Sequence, residues 1–127
     1  MKILYAEDSH ELVELYKPML ENMGQVSHAF TGRDARKLLQ EEEFDLIVCD
    51  HYMPAGNGNE VYNACRGSER VKEKNKTATY IVFSSGPDMS EYRNFNQDAG
   101  AFVVMKHYGV DLMEEVGSIM ESVHQQA

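Results

Sequence analysis

Five polar side chains stand at the carboxyl ends of four apolar runs. Glu7 and Asp8 follow KILYA, Asp50 follows DLIVC, Ser84 ends TYIVFS, and Lys106 ends AFVVMK. If those runs are neighbouring strands, three carboxylates, a hydroxyl and an amine converge on one edge of a sheet. Close carboxylates resist ionising together, because each like charge raises its neighbours' pKa. A cation relieves that conflict, and Mg2+ suits it best: it takes oxygen ligands, keeps several waters and commonly binds one or two carboxylates plus a phosphoryl oxygen. Glu7, Asp8 and Asp50 would hold the ion. Lys106 would hold another phosphoryl oxygen, Ser84 would donate a hydrogen bond to a third, and Asp50 would be the nucleophile that becomes an aspartyl phosphate. Taken singly these residues say little, since an aspartate at a strand end ordinarily serves as a turn or cap residue. It is their conjunction at four strand ends that carries the reading. Zinc has no support, because His10, His28, His51, His107 and His124 are scattered and neither Cys49 nor Cys65 has a partner at ligand spacing.

The elements that must position these groups follow from hydrophobic period. Apolar runs rich in β-formers at 2–6, 26–30, 45–49, 79–84 and 101–106 predict five strands. Between and after them, apolar residues three and four apart predict helices around Leu12–Met23, Ala35–Leu39, Val61–Cys65, Tyr92–Ala99 and Met113–Val123. Asp8 with Glu11, and Thr31 with Asp34, have the spacing of N-terminal capping pairs, while Gly24 and Gly100 fall where helices should end. Alternation of strand and helix implies parallel pairing through right-handed crossovers, hence an α/β fold: a doubly wound five-stranded parallel sheet flanked by five helices. Burial on both faces explains why the third and fourth strands are apolar at consecutive positions. Pro18 should kink or split the first helix. The polar stretch RGSERVKEKNKT (66–77) should be a frayed end of the third helix or a short insertion. Met19, Met23, Met113 and Met120 are expected in the core.

Bulk properties narrow the setting. A chain of 127 residues is one domain's worth, so residues 1–127 read as a single domain. With 21 acidic against 12 basic residues the formal charge is −9, which opposes direct binding to DNA or to an anionic membrane. Two cysteines are too few for a disulfide framework, so the expected setting is the reducing cytoplasm. No apolar stretch is long enough to span a membrane, and MKILYAEDS reaches acidic residues too early for a secretion signal.

At this point the sequence resembles the receiver domain of two-component response regulators, in its single-domain, chemotaxis-receiver style, across essentially the whole chain. The matching stretches are ILYAEDS with Glu7 and Asp8, DLIVCDHYMPAGNG with Asp50, Met53-Pro54 and Gly58, IVFSS with Ser84, and AGAFVVMK with Lys106. The resemblance implies a flavodoxin-like sheet of order 2-1-3-4-5. It implies that Asp50 is the phosphoacceptor, Ser84 the switch hydroxyl and Lys106 a phosphoryl contact. It further implies that the backbone carbonyl of Tyr52 joins Glu7, Asp8 and Asp50 on Mg2+, and that the backbone N–H of Ser85 helps bind the phosphoryl group. A histidine kinase or histidine phosphotransfer protein would be the donor. The response would be a population shift in the face made by the fourth helix, fifth strand and fifth helix, which binds a downstream protein. Such a chain is a signalling switch that promotes its own aspartyl phosphorylation and dephosphorylation, with no output domain expected after it. Four features depart from the family pattern: His107 stands where a cis proline usually follows the lysine, Val103 where an aromatic residue usually swings with the hydroxyl, one residue is missing between AGA and Lys106, and the interval between Asp50 and Ser84 is longer than is common.

Rival readings are a receiver-like interaction module that does not switch by phosphorylation, an aspartyl-phosphate phosphatase, and an FMN carrier. The phosphatase would want a second aspartate where Tyr52 stands. An FMN carrier would have to place its phosphate loop at the acidic EDSHE (7–11), which repels phosphate.

Overall fold

A computed structural model describes residues 1–84, 89–106 and 111–126. Five strands, β1 (Lys2–Ala6), β2 (Gln25–Ala29), β3 (Leu46–Cys49), β4 (Thr79–Ser84) and β5 (Ala101–Met105), form one parallel sheet in the order β2-β1-β3-β4-β5. Four α-helices, α1 (His10–Glu21), α2 (Gly32–Glu41), α3 (Gly58–Gly67) and α4 (Leu112–Gln126), flank it. The helix expected between β4 and β5 is a 3₁₀ segment, Met89–Gln97, with a break at Tyr92 (φ −109°, ψ 24°), so the expected fifth helix is α4. The sheet order and the flanking helices agree with the sequence reading.

Alternation along the strands divides the core in two. Ile3, Tyr5, Leu46, Val48, Ile81, Phe83 and Val104 face α1 and α4, where Leu20, Leu112, Val116 and Met120 meet them. Leu4, Ala6, Ile47, Cys49, Tyr80, Val82 and Ala101 face α2, α3 and the 3₁₀ segment, packing on Ala35, Leu39, Val61, Tyr62, Tyr92 and Phe95. Central strands β3 and β4 are buried along their whole length, as their unbroken apolar runs require. Each fully buried aliphatic or aromatic side chain contributes roughly 1.5–3 kcal/mol, so the two layers supply most of the driving force for folding.

Several local expectations change. Ser9, not Asp8, caps α1: its hydroxyl accepts from Leu12 N at 3.4 Å, which leaves the Asp8 carboxylate out of the helix end. Thr31 does cap α2, accepting from Asp34 N at 3.0 Å. Helix α1 runs through Pro18 without splitting. Met120 is buried and Met23 and Met113 pack against the α1/α4 layer, but Met19 is 37% exposed on the outer face of α1. The polar 66–77 stretch ends α3 at Gly67 and then forms a second 3₁₀ turn, Glu73–Thr77, whose Asn75 is buried. No helix among the described residues is long and apolar enough to cross a membrane.

Candidate functional site

One further hydrogen bond beyond the strand ends fixes three of the candidate residues. Glu7 N donates to Ala29 O (3.0 Å), Asp50 N to Ala6 O (2.9 Å) and Lys106 N to Ser84 O (2.8 Å), so each lies one rung past its strand with its backbone still held by the sheet. Alternation then continues the side chains of Glu7, Asp50 and Lys106 on the α1/α4 side, and that of Ser84 on the side of α3 and the 3₁₀ segment. Register in the last strand is continuous, with Val103 opposite Val82 and Met105 opposite Ser84, so Lys106 is the next residue along the carboxyl edge.

Carboxylate oxygens of Glu7, Asp8 and Asp50 lie within 4.8 Å of one another. Glu7 is 1% exposed and Asp50 7%, whereas Asp8 opens to solvent. Lys106 Nζ donates to Glu7 Oε1 at 2.7 Å and stands 3.4 Å from Asp50 Oδ1, so one ammonium is shared between two buried carboxylates. Burial pushes the Glu7 carboxyl up to about 7; Asp50 adds to the rise and the Lys106 hydrogen bond opposes it. The donor set is all oxygen, hard and over-supplied with negative charge, and it fits a divalent cation such as Mg2+. Ser84 Oγ is fully buried at the same edge and has no hydrogen-bond partner among the described residues. Ser85 and His107 lie outside the described residues.

The loop after β3 bends sharply. Ala55 has φ 58° and Gly56 φ 123°, left-handed conformations that turn the chain back toward α3. Asn57 then starts α3 with a reciprocal capping box to Glu60. Tyr52, two residues after Asp50, is 56% exposed, and its ring packs edge-on against His51 at 4.6 Å. His51 is only 3% exposed, and its Nδ1 shares a hydrogen bond with the Tyr92 hydroxyl. No local signal could have found that contact, which joins residues 41 positions apart.

Residues 3–116 match the response regulator receiver domain family. The chain belongs to that family. Transcriptional regulatory protein CrdR of Helicobacter pylori is 30% identical over 116 residues, covering 89% of this chain and 51% of CrdR, so the chain spans about half of that relative's length. Response regulator TrrA of Thermotoga maritima, whose structure was solved in complex with Mg(2+)-BeF, is 28% identical with a TM-score of 0.70, covering 93% of this chain and 97% of TrrA. A CheY-like receiver domain protein from Methanospirillum hungatei, 21% identical, shares the fold with a TM-score of 0.76 over 98% of this chain and 94% of that one. Receiver domains bind Mg2+ at an acidic pocket, and the cluster of Glu7, Asp8 and Asp50 fits such a pocket.

Proposed function

We propose that this receiver domain accepts a phosphoryl group on Asp50 from a histidine kinase or histidine phosphotransfer protein and thereby changes which protein its outer face prefers. One observation carries the reading: Glu7, Asp8, Asp50, Lys106 and a buried hydroxyl, Ser84, without a partner among the described residues meet at a single edge of the sheet. Asp50 attacks phosphorus with a carboxylate oxygen, the bond between phosphorus and the donor's histidine nitrogen breaks, and the imidazole leaves with that electron pair. Mg2+, held by Glu7, Asp8, Asp50 and the Tyr52 carbonyl, would neutralise charge on the incoming phosphoryl oxygens. Lys106 turns from its carboxylate partners toward a phosphoryl oxygen, and the Ser84 hydroxyl gains an acceptor that no described residue supplies. The Ser85 N–H takes a further oxygen. The complex of TrrA with Mg(2+)-BeF supports this assignment.

The same groups promote hydrolysis of the aspartyl phosphate, so the chain acts as a switch on itself and not as an enzyme on a separate substrate. Its downstream partner is a protein bound at the face of the 3₁₀ segment, β5 and α4. The net charge of −9 argues against direct DNA contact by this domain, and two free buried cysteines suit a cytoplasmic setting. Residues 1–127 act as one receiver unit.

Incubation with Mg2+ and a small acyl phosphate tests the reading. The expected result is a mass increase of one phosphoryl group that vanishes in Asp50→Asn and on chelation of the metal. An unlabelled parent protein would overturn the mechanism and leave the non-switching interaction module, which the small Val103 side chain favours.

A further inference from the structure

We propose that His51 and Tyr92 form the relay between Asp50 and the 3₁₀ segment, with Tyr92 a positioning residue for the loop that carries the phosphoacceptor. The proposal rests on the phosphoryl-switch reading above. His51 directly follows Asp50 in the chain, and by strand alternation it turns to the same side as Ser84, where the 3₁₀ segment lies. Its Nδ1 shares a hydrogen bond with the Tyr92 hydroxyl, and the two rings meet at 5.3 Å and 68°. Both side chains are buried, at 3% and 2% exposure.

Two features make this contact more than incidental packing. Tyr92 is the residue at which the 3₁₀ segment leaves helical φ/ψ, so the kink of the segment and its anchor to the acceptor loop coincide. Gly58 is the second. A Cβ there would lie 2.9 Å from the Tyr92 hydroxyl oxygen and 2.9 Å from the Asp50 carbonyl oxygen, so only glycine leaves room for a tyrosine hydroxyl against the acceptor's own backbone. Gly58 is itself held, its N–H donating to His51 O at 2.9 Å and its carbonyl accepting from Tyr80 OH at 2.7 Å. A shift of the Asp50 backbone therefore reaches Tyr92 through one peptide and one hydrogen bond.

From Tyr92 the contact continues to Phe95 (5.0 Å) and from Phe95 to Tyr62 (4.4 Å), which packs the segment onto α3. On the same face of the sheet β5 offers Val103, an aliphatic side chain with no group to hydrogen-bond. Close-packed contacts of this kind exchange between discrete arrangements and do not deform smoothly, which is what a switch needs.

Amide hydrogen exchange over residues 89–97, with and without Mg2+ and beryllofluoride, tests the relay, and loading of Asp50 is measured separately by fluorine NMR. The parent should load and change its exchange in 89–97. Tyr92→Phe keeps the ring and should load equally, while the loaded-minus-free change in 89–97 falls by about fivefold or more, as deletion of one buried hydrogen bond allows. Tyr62→Phe is the control: it removes the 2.6 Å hydrogen bond from Tyr62 OH to Asp98 just after the same segment, and should raise exchange in both states while leaving their difference intact. A parent that fails to load overturns both the switch reading and the relay. Loading with an undiminished response in Tyr92→Phe, an equal loss in Tyr62→Phe, or failure of Tyr92→Phe alone to load each overturns the relay and leaves the switch standing.

Discussion

Asn75 and Ser84 are both 0% exposed polar side chains near opposite ends of β4, and the fold treats them in opposite ways. Asn75 Oδ1 accepts from Phe44 N at 2.7 Å, and its Nδ2 donates to Leu39 O at 2.9 Å and Glu42 O at 2.7 Å. Its carbonyl accepts from Cys65 Sγ and Arg66 Nη1 as well. Every polar group of that side chain is paired, and the result pins the 66–77 excursion to the end of α2. At the carboxyl edge Ser84 Oγ has no partner among the described residues, and Glu7 and Asp50 share one ammonium. A satisfied buried polar group rigidifies; an unsatisfied one is tolerated where a ligand will complete it. The same protein thus separates a polar staple from a polar site.

The largest effect should come from removing the staple. Asn75→Ala deprives Phe44 N and Glu42 O of their partner in a buried place and should cost about 3 kcal/mol of unfolding free energy. Urea denaturation measures it, and phosphodonor labelling of the folded variant should match the parent. A loss under about 1 kcal/mol would mean that water replaces the side chain and that the contrast with Ser84 is weaker than drawn.

Glu7 supplies the next effect, with the opposite pH sense to an ordinary salt-bridged carboxylate. Its carboxyl sits at about 7 in the fold against 4.5 ordinarily, because burial penalises the anion. Between those values the folded chain holds a proton that the unfolded chain has released. The contribution is therefore fully present below the unfolded value and is lost as pH rises through about 7. Without metal, stability should rise on going from about pH 7.5 to about pH 5, by on the order of 1–3 kcal/mol. Glu7→Gln should flatten that slope. If Glu7 is a ligand of Mg2+, the sense should reverse with the ion, which needs the carboxylate and competes with the proton. Calorimetry in buffers of different ionisation enthalpy should show proton release on binding near neutral pH, and its absence would place Glu7 outside the ion's ligands.

What could be read from the sequence, and what could not, follows the same divide. Strands declared themselves by consecutive apolar residues, helices by period, and the site by polar residues ending apolar runs, because each is a local pattern that the topology then multiplies. Glu7, Asp50, Ser84 and Lys106 were legible for that reason. Asn75 was not: it binds Phe44, 31 positions away, from inside a stretch that reads as a solvated charge run. His51 and Tyr92 escaped likewise, since neither neighbour in sequence hints at their contact. Ser9 displaced Asp8 as the cap because adjacent residues compete for one helix end, and spacing cannot choose between them. The segment at 89–97 kept its apolar spacing of three from Tyr92 to Phe95, which a 3₁₀ turn satisfies as well as an α-helix does.

Ser84→Ala should give the smallest change in stability and the sharpest test of the contrast. A buried hydroxyl without a partner costs roughly 1–3 kcal/mol relative to one that is hydrogen-bonded, and alanine removes that cost while sacrificing few contacts in so tight a position. The variant should be as stable as the parent or more stable by about 1 kcal/mol, where Asn75→Ala loses several times as much. Function should move the other way. Asp50, the proposed nucleophile, should still be labelled, since Lys106 and the acidic group are intact, but the exchange response of 89–97 to beryllofluoride should shrink because the hydroxyl that would follow the phosphoryl group is gone. Denaturation and hydrogen exchange on the same sample decide it. A clear loss of stability would show that Ser84 has a structural partner after all, and that the two buried polar groups differ only in where they sit.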